Sequence, residues 1–322
     1  MNKRILTSPN PAAEYIFFGF SSLLLILELV SGVSDDPLFR ISACILTIVC
    51  IFGIRMLVRR SNSLTVRILF VLYILPLLFL LYPVAIGISK SLHIGEYDEV
   101  LIQIDKFIFG GIDPTRWLFI HVNLFPVIVE LLEYSYFLHY LYALILGTEL
   151  FLRKDNIEFQ EYRIAMVYVA LMSFALNMII PAIGPRFTLH EFANLQKELP
   201  GLWLVDWIRS KINTGEGISQ QMTSNIATLH VFRDAFPSGH TMFTLVTLIY
   251  AFRAKARVRW FLLPLGLSLI ASTILLRYHY VIDVIAGIAF AIIAVQSTPA
   301  VMRFAARIEK PQKKFTPINP AE

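Results

Sequence analysis

Long apolar runs recur along this chain, separated by short clusters of charged residues. A bilayer core of roughly 30 Å requires about 20 apolar residues per helix. Seven runs approach or reach that length, and an eighth, 241–252, is shorter. They cover residues 15–33, 41–58, 68–88, 124–152, 164–183, 241–252, 258–276 and 281–302. The pattern therefore predicts an all-α, polytopic membrane bundle of about eight transmembrane helices.

The charged residues between these runs are unevenly distributed. If the helices alternate in direction, one set of connections, together with both termini, carries clusters of Lys and Arg. The opposite set begins with Asp35 and Asp36 and is richer in acidic residues. Because cytoplasmic connections carry the excess of positive charge, we expect both termini to be cytoplasmic. The long connections 89–123 and 186–236 are then extracytoplasmic.

The composition supports a plasma-membrane or inner-membrane protein whose solvent is mostly lipid. Of the 322 residues, 57% are hydrophobic and 16% are charged, and the mean hydropathy is +0.66. The net charge of +5 follows from the orientation of the connections, so we expect no nucleic-acid partner. Cys44 and Cys50 lie inside the second run, where they act as small apolar residues. The first run has no small-residue cleavage site after it, which favours a retained helix over a signal peptide.

Three parts are expected along the chain: a two-span extension (1–64), a membrane-embedded core (65–305) and a disordered cytoplasmic tail (306–322). Residues 100–109 (VLIQIDKFIF) alternate charged and apolar positions, which predicts a helix lying in the membrane interface. Residues 186–236 are too many for a simple linker, and long ordered connections are often lids or binding loops.

Three short strings carry the candidate chemistry. They are PAIGPRF at 181–187, FPSGHT at 236–241 and RYHYVID at 277–283. Each lies at the end of a predicted span, and the alternating topology places all three at the extracytoplasmic face. We therefore expect them to form one site.

Four of their residues suit the binding of a phosphate group. Arg186 and Arg277 are permanently charged, planar donors that match phosphate oxygens. Ser238 and Gly239 begin a predicted helix, where free backbone N–H groups favour an anion. Three other residues suit the transfer step. A histidine can act as nucleophile if a partner orients its ring, and Asp283 follows His279 by one helical turn. His240 is then available as the general acid and base.

These strings resemble the signature of the type 2 phosphatidic acid phosphatase superfamily, most closely at PSGH (237–240) and HYVIDVIAG (279–287). The resemblance implies a six-helix phosphatase-like core and a phosphohistidine mechanism without a metal or other cofactor. It makes His279 the nucleophile, Asp283 its orienting partner and His240 the acid and base. It assigns phosphate binding to Arg186, Ser238, Gly239 and Arg277.

Other positions depart from the usual superfamily pattern. Ile179 occupies the place of a lysine in the first motif, and Thr273 that of an arginine in the third. The Gly-Pro-Arg and Arg-x-His-Tyr strings, with DKFIFGGIDP at 105–114, resemble the branch of the inositol phosphorylceramide synthases. This resemblance extends over about residues 89–287 and leaves the first two spans outside.

Three functions remain open at this point. The first is a lipid phosphatase acting on a membrane phospholipid or lipid phosphate. The second is a phosphotransferase that moves a phosphoinositol or similar headgroup to a lipid or polyol acceptor. The third is a non-catalytic, transporter-like membrane protein. Glu130 and Glu133 lie within a span and either bond inside the bundle or approach the site, and the oligomeric state is left open. No role is assigned to His93, His121, His190 or His230.

Overall fold

The computed structural model of the chain describes residues 10–31, 35–61, 63–92, 95–153 and 156–309. The basic N-terminal residues, His93 and residues 310–322 of the expected tail therefore lie outside the described residues. Within the described ranges all regular secondary structure is helical. The all-α prediction is confirmed.

The described residues form sixteen α-helices, numbered here in chain order. They are α1 (Ala12–Ser31), α2 (Pro37–Arg60), α3 (Leu64–Leu72), α4 (Ile74–Ser91), α5 (Asp98–Ile108), α6 (Pro114–His121), α7 (Pro126–Phe137), α8 (His139–Leu152), α9 (Asn156–Ile179), α10 (Pro185–Thr188), α11 (Leu195–Glu198), α12 (Val205–Gly215), α13 (Ser224–His230), α14 (Gly239–Arg253), α15 (Arg259–Leu275) and α16 (Val281–Ile308).

Several of these helices are long and apolar enough to cross a membrane. Within the described residues five stretches qualify: α1, α2, the stretch Ile68–Ser91, α9 and α16. Helices α7 and α8 form a sixth if their 53° bend is counted within one span. Helices α14 and α15 have only 15 and 17 residues. The chain is thus an integral, polytopic membrane protein, while the count of eight spans stays a prediction.

Helices α9, α14 and α16 form the centre of the bundle. Helix α14 packs against α9, α15 and α16, and α9 also packs against α4 and α1. Apolar side chains such as Met242, Val246 and Ala291 are fully buried between these helices. This packing brings the end of α9 and the starts of α14 and α16 together at one end of the bundle.

A helix is present where the interfacial one was predicted, as α5, and it places two acidic side chains on its buried face. Its location in the membrane interface stays a prediction. Its buried face holds Asp98 and Asp105 beside Leu101 and Ile102, whereas Phe107 is 88% exposed. The exposed face is mixed, with apolar Val100 and Phe107 beside Glu99 and Gln103, which are hydrogen-bonded to each other, a composition that suits the membrane interface. The inner carboxylates therefore need partners within the protein, which are described below.

The long connection 186–236 is folded rather than extended. It forms α10 to α13, and Glu130 of α7 accepts hydrogen bonds from the backbone N–H groups of Leu202, Trp203 and Leu204 at 2.8–3.2 Å. Glu130 therefore bonds inside the protein, where its carboxylate anchors the start of α12.

Candidate active site

The three strings surround one cavity of about 430 Å³. Arg186 lies just after α9, His240 in the first turn of α14, and His279 just before α16; all three line the cavity together with Gly239. The ring centroids of His240 and His279 are 5.8 Å apart. Residues distant in the chain are therefore close enough to contact one small group.

The His279 ring is held by a backbone carbonyl. Its Nδ1 lies 2.8 Å from the carbonyl oxygen of Ala235, so the neutral ring donates its proton there. Burial lowers the pKa of His279 to about 4, which keeps the imidazole neutral near pH 7. The lone pair on Nε2 is consequently available for attack on an electrophile.

Asp283 is a second, more distant neighbour of the same nitrogen. Its Oδ2 lies 3.5 Å from Nδ1 of His279 and accepts a hydrogen bond of 2.8 Å from the backbone N–H of Tyr280. The carboxylate is fully buried, and its Oδ1 has no hydrogen-bond partner. Asp283 can stabilise positive charge on the ring, while the direct orienting bond comes from Ala235.

An aromatic column connects His240 with Arg186. The His240 ring stacks on Tyr136 with centroids 4.1 Å apart, and Tyr136 stacks on Tyr278 at the same distance. The Cζ atom of Arg186 lies 4.6 Å from the Tyr278 centroid. Flat rings packed in this way restrict side-chain rotation, so His240 and Arg186 hold fixed positions on two sides of the cavity.

Arg186 contributes the cationic wall of the cavity. Its Nη1 donates to Asn213 Oδ1 at 3.1 Å, and its Nη2 pairs with Glu216. Burial raises the pKa of Glu216 to about 7, although the charge of Arg186 opposes this rise. A raised pKa makes Glu216 easier to protonate than an exposed glutamate, and a neutral Glu216 would leave Arg186 free to bind a phosphate group.

The backbones of the first and third strings meet behind Arg186. The N–H of Arg186 donates to the carbonyl of Arg277 at 3.1 Å. Gly184 has a φ of +91°, and a Cβ there would lie 2.8 Å from the carbonyl oxygen of Tyr278. Only glycine fits this close approach without strain, so the sequence Gly-Pro-Arg fixes the first string against the third.

Two predicted phosphate-binding side chains lie elsewhere. The guanidinium of Arg277 pairs with Glu198 and lies over the Phe119 ring, and Arg277 does not line the cavity described above. Ser238 is fully buried and caps α14, with its Oγ accepting from the Thr241 N–H at 3.3 Å. Both residues support the geometry of the site, and their direct contact with phosphate stays a prediction.

Several cavity residues were not singled out from the sequence. His139, at the bend between α7 and α8, packs edge-on against His240 with centroids 4.4 Å apart. Asp234, Lys211 and Glu216 come from the long connection. An ionisable residue inside an apolar run is a recognisable signal for His139, whereas nothing in the local sequence of the other three indicated the cavity.

Glu133 lies beside the site rather than in it. It pairs with Arg209 at 2.6 Å and accepts from the hydroxyl of Tyr278 at 3.1 Å. Both charged groups are almost fully buried. Glu133 therefore bonds within the bundle and also supports the aromatic column.

One side of the cavity is apolar. Leu75, Leu78 and Phe79 of α4 face this space together with Phe137 and Phe243. A charged, histidine-containing end joined to an apolar wall fits an amphiphile whose phosphate meets Arg186. This arrangement can accommodate a lipid phosphate and supply a nucleophile, an acid and a cation to it.

Comparison with known protein families gives a match over most of this region. A family model described as the PAP2 superfamily matches residues 100–296, a segment that contains the three strings and excludes α1 to α4. The resemblance to this superfamily is confirmed. The comparison with curated proteins gives no match, and the comparison with solved structures also gives none.

Proposed function

Because this chain belongs to the PAP2 superfamily, we propose that it is a membrane-embedded lipid phosphatase that uses a covalent phosphohistidine intermediate on His279. Phosphatase or phosphotransferase chemistry on lipid phosphates is the general activity of the superfamily. The observation that carries the proposal is the convergence of His240, His279 and Arg186 on one cavity.

In the first step, Nε2 of His279 attacks the phosphorus atom of the substrate. The N–P bond forms as the bond from phosphorus to the lipid oxygen breaks, and His240 donates a proton to the leaving oxygen. Arg186 neutralises charge on the non-bridging oxygens, an interaction that grows in the transition state. Asp283 stabilises the positive ring of the phosphorylated histidine.

In the second step, water attacks the phosphorus and the N–P bond breaks. His240 accepts the proton that the water loses, and free phosphate leaves. The proposal needs no metal, since the chain's own cation and acid serve these roles. From the distribution of charged connections we also propose that both termini are cytoplasmic and that the reaction takes place at the extracytoplasmic face.

The alternative is transfer of a phosphoalcohol headgroup to a lipid or polyol acceptor. The Gly-Pro-Arg and Arg-x-His-Tyr strings favour it through their resemblance to the inositol phosphorylceramide synthase branch. The long connection lines one part of the cavity with Lys211, Glu216 and Asp234; a transferase would need this segment to limit the access of water.

A lipid assay separates these reactions. Purified protein is given phosphatidic acid in one arm, and phosphatidylinositol with a lipid or polyol acceptor in the other. Free phosphate supports the phosphatase, whereas a new phospholipid supports the transferase. His279→Ala is expected to abolish both products, and full turnover by that variant would contradict the proposed nucleophile. No product in either arm from the wild-type protein would favour the non-catalytic alternative.

A further inference from the structure

Helix α5 directs two buried carboxylates into the backbone of the site. Asp98 is 7% exposed and Asp105 is 1% exposed, whereas the apolar Phe107 of the same helix is 88% exposed. Neither residue lines the cavity described above. The role of these two carboxylates must therefore be inferred from their hydrogen-bond partners.

Asp98 joins the string that carries Arg186 to the one that carries His279. Its Oδ1 accepts from the N–H of Gly184 at 2.9 Å, and both oxygens accept from the N–H of Ile183 at 3.0–3.1 Å. The same Oδ1 accepts from the hydroxyl of Tyr280 at 2.8 Å. One carboxylate thus holds the residue two positions before Arg186 and the residue directly after His279.

Asp105 caps α16 from outside that helix. Its two oxygens accept from the N–H groups of Val281 and Ile282 at 2.9 and 2.7 Å. The first N–H groups of a helix have no partner inside it, and a helix commonly caps them with its own residues. Asp105 thus satisfies both of these N–H groups, while the carboxylate of Asp283 accepts from the N–H of Tyr280 and lies 3.5 Å from Nδ1 of His279.

Burying a carboxylate carries a desolvation cost that burying an apolar side chain does not. Burial raises the pKa of Asp105 to about 6 and also raises that of Asp98, while the backbone N–H groups oppose the rise in each case. Apolar packing would attach α5 to the bundle without this desolvation. The charges instead provide directional bonds to the segments that must be kept in register.

We propose that Asp98 and Asp105 are positioning residues, which set the Arg186 and His279 segments in the relative geometry that the reaction requires. The inference rests on the proposed function. It assigns to α5 a role in turnover, beyond its expected place at the membrane surface. Neither carboxylate exchanges a proton or a bond with the substrate.

The test uses Asp98→Asn and Asp105→Asn in the full-length protein. Each asparagine keeps the shape of the side chain but replaces one acceptor oxygen with an NH₂ group, which cannot accept from an N–H donor. We expect kcat per active site to fall about 10- to 100-fold for Asp98→Asn, the range for a displacement near 1 Å. A smaller fall is expected for Asp105→Asn, and KM should change less than about threefold for both variants.

Asp113→Asn is the matched control. Asp113 also caps a helix, accepting from the Arg116 N–H at 3.0 Å, but it is more exposed and its hydrogen bond lies within α6. This variant is expected to keep wild-type kcat. Active sites are counted by trapping the phosphorylated protein, so a loss of folded protein is not mistaken for a loss of kcat.

A double-mutant cycle isolates the bond between Asp98 and Tyr280. Tyr280→Phe removes only the hydroxyl. In the double variant with Asp98→Asn, the fold-loss in kcat should be much smaller than the product of the fold-losses of the two single variants. Independent, multiplicative losses in kcat would overturn the link through Tyr280.

The two proposals fail in different ways. If the wild-type protein shows no His279-dependent turnover, the proposed function fails and takes this inference with it. If the wild type turns over, His279→Ala does not, and Asp98→Asn matches Asp113→Asn in kcat per active site, only the positioning role is overturned.

Discussion

Two buried arginines lie near opposite ends of α9 and differ in their surroundings. Arg163, in the second turn of the helix, and Arg186, just beyond its last turn, are each 3% exposed. Arg163 bonds Glu14 at 2.8 Å, the hydroxyl of Tyr73 at 3.2 Å and the carbonyl of Asn10 at 3.1 Å. Arg186 also pairs with a glutamate, but it lines the cavity.

Burial and pairing alone therefore do not distinguish a structural arginine from one that binds phosphate, the role proposed for Arg186. The difference lies in what surrounds the pair. Glu14 is 1% exposed and joins α1 to α9, whereas Glu216 belongs to the connection that lines one part of the cavity. In the proposed function a phosphate group replaces Glu216 at Arg186, while replacement of Glu14 would separate two membrane helices.

The largest expected effect is on Arg186. Arg186→Ala should lower kcat/KM by about 10³-fold, because removing one preorganised donor to the transition state typically costs about 10²–10³-fold. Arg186→Lys should recover only part of this loss, since lysine lacks the planar fork. Steady-state kinetics on the preferred lipid measure both variants. If Arg186→Ala kept the wild-type kcat/KM, Arg186 would be a structural arginine like Arg163 and not a phosphate-binding one.

The next effect is on stability. Arg163→Met leaves Glu14 buried without its cation and should lower the free energy of unfolding by about 3 kcal/mol. The kcat per active site should be unchanged, because the residues that bond Arg163, which are Glu14, Tyr73 and Asn10, do not line the cavity. Unfolding in detergent micelles and trapped-intermediate counts check these points. The double variant Glu14→Gln/Arg163→Met should regain part of the stability, and a fall in kcat per active site would contradict the assignment.

A smaller effect concerns pH. Glu216 is neutral below its pKa of about 7 and ionised above it, where it competes with an anion for Arg186. The Ki of tungstate, a dianionic phosphate analogue, should rise about tenfold per pH unit above that pKa, the limiting slope for a single ionisation. Glu216→Gln should flatten this dependence. An unchanged pH profile in the variant would show that Glu216 does not control access to Arg186.

The smallest effect is expected for the side chain of Arg277. It pairs with Glu198 outside the cavity, and its φ is +66°, a conformation that asparagine tolerates better than most residues. Arg277→Asn should therefore lower kcat/KM by only about threefold, whereas direct phosphate binding predicts a loss near that of Arg186→Ala. Kinetics of the two variants side by side decide between these roles.

The regular parts of the molecule could be predicted from its sequence. Apolar runs give long helices wherever lipid is the solvent, and the helix ends at 181–187, 236–241 and 277–283 follow from proline, glycine and capping residues. The convergence of those ends followed from alternating direction through the membrane. The bend between α7 and α8 was not apparent, because it does not change the apolar character of its run. The short run 241–252, by contrast, already indicated a short α14.

The partners of individual side chains could not be predicted in the same way. His279 takes its hydrogen bond from the carbonyl of Ala235, and a backbone oxygen has no sequence signature. The two arginines of the strings looked equivalent, yet Glu198 and Glu216 hold them in different places. These choices depend on how the connection 186–236 folds over the bundle, which is tertiary information.

The most direct test of the account is to trap the covalent intermediate. The protein is incubated with a lipid substrate labelled with radioactive phosphorus, quenched under alkaline conditions that preserve phosphohistidine, and digested for peptide mapping. The account predicts label on His279 in the wild-type protein and none in His279→Ala. Turnover without labelled protein, or label on a different residue, would contradict it.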